Sequence, residues 1–572
     1  MVVTGRRRRP PWLWALVATA VLAVGLGGAL AARHVLGGRG RGGGSSADSS
    51  PPHAATGTVA RADVLGTGAS TTPPVTVVGT TDGRPPADPD EIAARVCGSA
   101  ALQAGPPSAA AAKDLFPDRT IVEVPAGANG DVVTGDAGTV YWLAPGEHRL
   151  EATKFAQIVP KDGDTFIGAP GAVLDGKQVN RYAFAGSATG VTIRYLTVQG
   201  FVPPMNEGVV NHDSANGWTI EHTTITRNSG AGMMVGANQV VRSNCLADNG
   251  QYGFNAYQGG DGISDLVLEH NEIKGNNTED WEKRQPGCGC TGGGKFWAVK
   301  GAKVTENWVH DNRSVGLWAD TNNVDFLFQR NIVENNDDVG IWYEISYNAR
   351  IVDNLLSRNG WSGGKADTGA PSPAIYLSES GGDARLPTKY SRAPLVEIAG
   401  NRVVDNYSGI TLYENANRFC NSNGNSSASY CTPFVTGGTI PEPWDYTYGK
   451  PVNADHPCNA PGIDTEPLFT DCRWRTQHVA IHDNDFSFDD KVVPCGSEYC
   501  GVMALYVSGA DNQSWQPYVV ADVVKALTTN QDNRWTNNRY TGRWHFAVGY
   551  GDRTDWGTWQ SKYDQDQGSS AH

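Results

Sequence analysis

Two acidic residues close two matched phrases of the chain, Gly316-Leu317-Trp318-Ala319-Asp320 and Gly340-Ile341-Trp342-Tyr343-Glu344. Side chains alternate along an extended strand, so Leu317 and Ile341 share one face and the two indoles share the other. Asp320 and Glu344 then stand two positions further along on the indole side. If the phrases are neighbouring strands, their carboxyl groups lie roughly 5 Å apart, the spacing between strands. Two acids that close resist ionising together, and their titrations are expected to split into one acid and one base. Hydrolysis of a glycosidic bond requires such a pair, with a general acid for the leaving oxygen and a base or nucleophile for the anomeric carbon. A solvated column of surface acids gives the same pattern with no chemistry attached.

The flanking phrases extend the candidate site. Phe296-Trp297-Ala298-Val299 and Ile375-Tyr376-Leu377-Ser378 add Trp297 and Tyr376 to the column of Trp318 and Trp342, with Phe296, Ile375 and Ile410 inward. An outward column of aromatic rings offers faces on which sugars stack through their C–H groups, and exposing it is costly unless it binds something. Rings that stack on one another, or that insertions cover, produce the same spacing without a ligand. The candidate set is therefore Asp320 and Glu344 as catalytic residues, with Trp297, Trp318, Trp342, Tyr376, Tyr257 and Lys295 as substrate-binding residues. Lys295 and Lys300 flank the Trp297 strand and suit a lyase base. His212 is placed in the same outward column four coils earlier. Glu379 and Glu414 follow later strands as further subsites, and His310 and Asp311 read as solvated turn residues. No cofactor and no metal set is expected.

The element that positions these groups is a repeat. Asn307-Trp-Val-His-Asp-Asn312 is followed by Asn331-Ile-Val-Glu-Asn-Asn336, Asn354-Leu-Leu-Ser-Arg-Asn359 and Asn401-Arg-Val-Val-Asp-Asn406, with an earlier copy from Asn271 to Asn276. A period in the low twenties, built of short apolar strands and Asn turns, marks a solenoid of stacked β-coils. The Leu-x-x-Leu-x-Leu pattern of leucine-rich repeats is absent. The fold class read from the chain is all-β, a single-stranded right-handed parallel β-helix. It predicts Asn271, Asn307, Asn331, Asn354 and Asn401 in register at one turn. The 69 glycines fit many strands joined by tight turns.

Arg6 to Arg9 precede an uncharged, mostly apolar run from Trp12 to Ala32, long enough to span a bilayer. The arginines stay cytoplasmic and the rest goes outside. The run is read as a transmembrane signal-anchor that holds the protein on the plasma membrane as a single-pass protein with an extracellular C-terminal domain. Cleavage near Ala29-Leu30-Ala31, with secretion, is the alternative. The ten cysteines fit disulfides in an oxidising compartment, with connectivity left open. Net charge is −14, and the seven arginines before residue 48 leave −21 for the remainder, which excludes nucleic acid as a partner.

The reading divides the chain into a basic tail (1–11), the anchor (12–32) and a Gly/Ser/Pro/Thr linker (33–95). A cap region (96–136), the β-helix (137–560) and a short tail (561–572) follow. Insertions are placed at 277–293, 361–393 and 415–473, the latter two long enough to wall a groove. A monomer is expected.

The Asn-x-Val/Ile-x-x-Asn repeats and the Gly-Leu-Trp-Ala-Asp and Gly-Ile-Trp-Tyr-Glu strands resemble the pectate-lyase-like superfamily, and more narrowly the bacterial right-handed β-helix repeat proteins. The resemblance covers about residues 137 to 560. It implies the fold, but not the reaction, because the superfamily spans lyases, hydrolases, epimerases and adhesins. Tyr252-Gly-Phe-Asn-Ala-Tyr257 resembles the Tyr-Gly-Phe-Asp-Pro-His motif of alginate epimerases but lacks its Asp and His. The calcium-binding aspartates and catalytic arginine of pectate lyases have no match. The expected function is an extracytoplasmic polysaccharide-active enzyme, a glycoside hydrolase first. A lyase or epimerase on uronate polymers is the second reading, and a non-catalytic glycan-binding surface protein the third.

Overall fold

The computed structural model describes residues 95–572, except 131, 258–262, 286–291, 321–322, 367–370, 385, 416–431, 434–471, 474–475, 509–523 and 550. The anchor and nearly all of the linker read from the sequence lie outside the described residues, as does most of the 415–473 insertion. Among the described residues no helix is long and apolar enough to cross a membrane.

The first coils contribute short strands to two parallel sheets, and from Gly208–Val210 onward each coil adds one to a third as well. Sheet 1 runs from Ile121–Val124 to Asn533–Thr536, and sheet 2 from Gly127–Ala128 to Ser570–Ala571. Sheet 3 begins at Gly208–Val210 and ends at His545–Gly549, edged by the antiparallel Asp552–Thr554. The stack therefore begins before residue 137, because Ile121–Val124 already pairs with Val140–Leu143. It also ends after 560, where Ser570–Ala571 pairs with Arg539–Tyr540. These terminal coils escaped the reading because they carry no Asn phrase.

Two amide ladders hold the coils in register. Asn271, Asn307, Asn331, Asn354, Asn401 and Asn484 form the predicted one, between sheets 1 and 2, each side-chain NH2 donating to the next Oδ1 at 2.9–3.0 Å. The last Asn of each phrase builds a second ladder between sheets 2 and 3, through Asn276, Asn312, Asn336, Asn359 and Asn406. Each amide also donates to a main-chain carbonyl of the preceding coil, as Asn331 does to Val304 O at 2.9 Å. All are buried, so every polar atom satisfied inside the stack is one that would otherwise cost free energy. The residue before each ladder Asn adopts a left-handed conformation, with φ 57° at Glu306, 56° at Arg330 and 54° at Asp311. That backbone turn costs about 1–2 kcal/mol per non-glycine residue, which the ladder bonds offset.

Inward residues of the three sheets form one continuous apolar core. Phe254, Phe296 and Phe326 meet edge to face at 5.1 and 5.2 Å between ring centroids. Both ends are closed. The helix Ala109–Leu115, capped by the Ser108 hydroxyl, lays Ala112 against Val140 and Ile167. The helix Trp556–Tyr563, capped by Asp555, stacks Trp559 on Phe546 at 5.0 Å. A solenoid needs such caps to protect its open edges.

The insertion read at 361–393 is not one loop. It holds a helical turn, Trp361–Lys365, then the sheet 3 strand Pro373–Ser378, and only afterwards a long excursion. That excursion folds onto sheet 1, where Asp325 accepts the N–H groups of Tyr390 and Ser391 at 2.7 Å. It pads that sheet rather than walling a groove on sheet 3.

Candidate functional site

The strands that present the candidate residues all belong to sheet 3. Gly294–Phe296, Leu317–Ala319, Ile341–Glu344 and Pro373–Ser378 pair in sequence. Leu317, Ile341 and Ile375 align inward as expected. One outward column runs Asn255, Lys295, Trp318, Trp342, Tyr376, Thr411. Two positions on, the continuing ladder sets Trp297, Asp320, Glu344, Ser378 and Tyr413 in a second column, Trp297 N–H bonding Ala256 O and Asp320 N–H bonding Phe296 O.

Trp297 therefore does not join the column of Trp318 and Trp342; Lys295 takes that place. The insertion before this strand hid the register, but a signal was present. Gly293 is followed two residues on by Lys295 as Gly316 is by Trp318, and aligning on the glycine rather than on Phe296 gives the observed pairing.

The aromatic column is largely covered, contrary to the exposed platform expected. Trp318 is 4% exposed and Tyr376 7%, while Trp342 is half-buried. The rings stack on each other, Trp318 on Trp342 at 4.5 Å and 7°, and Trp342 on Tyr376 at 5.1 Å and 29°. Tyr413 and Tyr506 prolong the series, with centroids 5.7 Å apart. Trp297 and Tyr257 are half-buried, as Trp342 is.

The acids are buried too, Asp320 at 1% and Glu344 at 0% exposure, so they are not solvated surface charges. Each meets a donor from the first column. Lys295 Nζ lies 2.9 Å from Asp320 Oδ2, and Trp318 Nε1 donates to Glu344 Oε2 at 3.1 Å. Burial raises the Tyr252 phenol well above its ordinary value, and the nearby charge of Asp320 adds to the effect. Burial likewise raises Tyr257.

The weaker candidates scatter. Lys300 belongs to sheet 1, past the corner at Ala298, where it pairs with Val324. His212 lies beyond the end of Gly208–Val210 and stacks on Tyr182 at 3.7 Å. Glu379 accepts the Ser378 hydroxyl at 2.5 Å, and Glu414 accepts the Thr476 N–H at 2.6 Å and the Gln531 amide. His310 and Asp311 are not both solvated: His310 is buried, bridging Asp311 and Glu272. Among the described residues no group of three or more His, Cys, Asp or Glu side chains is arranged to hold a metal ion. Two disulfides are described, Cys97–Cys245 and Cys495–Cys500.

Three parallel sheets joined by Asn corners, with chemistry-bearing side chains on the outward face of one of them, define a right-handed parallel β-helix protein. Residues 207–384 match the family model described as a right handed beta helix region. No curated protein matches the sequence. Among solved structures the chain is similar to the A-module of a mannuronan C-5 epimerase from Azotobacter vinelandii, at 16% identity over 54% of this chain and 86% of that one, with a TM-score of 0.35. A mutant of a periplasmic alginate epimerase gives 14% identity, coverages of 64% and 72% and a TM-score of 0.32. A pectate lyase gives 12%, coverages of 52% and 70% and a TM-score of 0.26. At these identities and scores, none of the three bears on the reaction.

Proposed function

We propose that the protein is polysaccharide-active and that the outward face of sheet 3 is its working surface, with glycoside hydrolysis as the reaction. The observation that supports this reading is the placement of Asp320 and Glu344 one coil apart in a single outward column, directly after Trp297. Glu344, held by an indole N–H, and Asp320, ion-paired with Lys295, have unlike environments, the asymmetry that an acid and base pair needs. Trp297 and Tyr257 provide the ring faces for the sugar on the approach to the acids. With both acids buried, productive binding entails a rearrangement of the side chains around them, and tryptophan fluorescence during glycan titration reports it.

The buried Lys295 ammonium beside Asp320 favours a second reading, a lyase or epimerase on uronate polymers in which Lys295 neutralises the sugar carboxylate. A glycan panel separates the readings. New reducing ends alone mean hydrolysis, ultraviolet-absorbing unsaturated uronates mean a lyase, and binding without product means a glycan-binding surface protein. The protein works outside the cytoplasm as a monomer, held by Trp12 to Ala32; the Cys97–Cys245 bridge, of a kind that persists in oxidising compartments, supports that placement. Membrane fractionation tests the anchor, and a mature N-terminus near Ala32 in the medium would replace it with secretion.

A further inference from the structure

A cavity lies on a different face of the solenoid from the sheet 3 acids. It has a volume of about 340 Å³, within the range of small-molecule sites. Its floor is the outward side of sheet 2, where Glu272 pairs with Trp308, and Lys274 with His310, which in turn pairs with Glu334. Its wall is the start of the described chain, where Cys97 is bonded to Cys245 one coil before Glu272. The wall is also tied to the floor by the Cys97 N–H, which donates to Glu272 Oε2 at 2.8 Å.

The lining is built rather than incidental. The His310 ring lies 4.0 Å from that of Trp308, near parallel, and bridges Glu272 Oε1 at 3.3 Å and Asp311 Oδ2 at 2.6 Å. Trp308 Nε1 donates to Glu334 Oε1 at 2.9 Å, and Glu334 Oε2 is held by Arg358 at 2.7 Å. Burial works against ionisation of Glu272, but the bonds from His310 and the Cys97 N–H outweigh it and hold its carboxyl below the usual value. One face of Trp308 is thus fixed against His310. The exposed Arg95 guanidinium also lies over the ring, 5.8 Å from its centroid.

Three carboxylates, Glu272, Asp311 and Glu334, line the cavity against two cations, Arg95 and Lys274. With Glu334 already paired to Arg358 the charges balance, so the cavity offers no excess positive charge to hold a phosphate or a uronate. A dense set of oriented acceptors and donors around one indole instead matches the chemistry of a neutral pyranose, whose hydroxyls bond to carboxylates and amides while its C–H face covers the ring. We infer that this cavity is a second saccharide-binding site, selective for a neutral sugar unit and independent of the sheet 3 acids.

The test is calorimetric titration of the purified full-length chain with neutral trisaccharides (cello-, laminari- and mannotriose) and with trigalacturonate, in the Glu344→Gln background to suppress turnover. One neutral trisaccharide is expected to bind saturably. Its affinity should fall about tenfold or more in Trp308→Leu, severalfold in Glu334→Gln, and not at all in Trp297→Ala on sheet 3. Should Trp308→Leu unfold, Glu334→Gln and Asn335→Gly carry the test, because the first keeps an acceptor for the indole and the second keeps the φ of 53°. Unchanged affinity in both overturns the assignment. So does no neutral trisaccharide binding, tighter binding of trigalacturonate that Lys274→Met abolishes, or a loss that follows Trp297 instead of Trp308. Failure of sheet 3 catalysis leaves these outcomes untouched, since none reads turnover.

Discussion

Lys295 Nζ stands 2.9 Å from Asp320 Oδ2 and 3.9 Å from the centre of the Trp318 ring, in a site where both charged side chains are almost wholly buried. One ammonium thus neutralises a carboxylate in the next coil's outward column and caps the aromatic stack that runs on through Trp342 to Tyr376. In a low-dielectric setting neither partner is tolerated alone. The sheet 3 site is therefore a single charged and aromatic unit spread over four coils, not a row of independent side chains.

Lys295→Met is expected to destabilise the protein by about 3–5 kcal/mol, the cost of leaving Asp320 buried without its partner. The double variant Lys295→Met/Asp320→Leu should recover a large part of that loss. Urea unfolding of the parent and both variants measures it, and equal losses in the single and double variants would refute the pairing as the cause.

Glu344→Gln keeps an acceptor for the Trp318 indole and should fold like the parent, while cutting turnover on the proposed glycan substrate by about 10²- to 10⁴-fold. Asp320→Asn should lose turnover similarly and stability as well, because its ion pair goes. Stopped assays of reducing ends, beside thermal melts, separate the two effects. Parental activity in both variants would remove the acids from the chemistry.

The two indoles should part company. Trp318→Ala empties a buried site in the stack and is expected to cost about 3–5 kcal/mol of stability. Trp297→Ala, at a half-buried position, should leave the melting temperature nearly unchanged and weaken binding of the glycan turned over at sheet 3, as distinct from the trisaccharide held at Trp308, by about 0.5–1.5 kcal/mol. Denaturation and binding curves on the same preparations decide this.

Buried Arg350, Glu397 and His482 make a pH-dependent cluster on sheet 1, with Asp483 at its edge. Burial alone would lower His482, but bonds to Glu397 and Asp483 outweigh it and its pKa is raised above the ordinary value. The stabilisation is therefore fully present below about pH 6.5, the ordinary histidine value, and is lost as pH rises through the higher folded value. Glu397 is opposed by burial and held below its ordinary value by His482 and Arg350, so its contribution is present above that value and fades as pH falls through the depressed one. Melting temperature against pH should flatten on the alkaline side in His482→Gln. A profile identical to the parent's would refute the linkage.

Asn331→Ala removes one rung of the first ladder. It takes the Asn331 Oδ1 acceptor from the Asn307 main-chain N–H and from the Asn307 amide, and removes the donor to Val304 O and Asn354 Oδ1. Each buried group left unpaired costs about 1–3 kcal/mol, so cooperative unfolding should shift strongly toward lower denaturant, whereas Asn335→Gly nearby should not. Similar midpoints for the two would show the ladder to be dispensable.

The coil stack was legible because its signal is repeated: each Asn phrase combines a turn residue, an inward apolar residue and a fixed spacing, and the phrases confirm one another. The inward and outward parity of sheet 3 followed directly. Two things were not legible. The register of the strand at Lys295 was lost across an insertion, since parity constrains a strand only to even shifts, and Trp297 lies two positions after Lys295. Burial of Trp318, Asp320 and Glu344 depends on what lies over the sheet, which no local pattern encodes. His310 was misread for a related reason, because its partner Glu272 lies 38 residues earlier in the chain and one coil away.

Asn401 and Asn484 are separated by 83 residues, yet their amides meet at 2.9 Å as closely as those of Asn331 and Asn354, which are 23 residues apart. A chain organised in this way keeps count in turns rather than in residues. Whatever is spliced into a corner leaves the rungs on either side aligned, so evolution could lengthen or exchange the loops of one coil without renegotiating the geometry of any other. New specificities can then be drafted at the periphery while the acids and rings of sheet 3 stay in place.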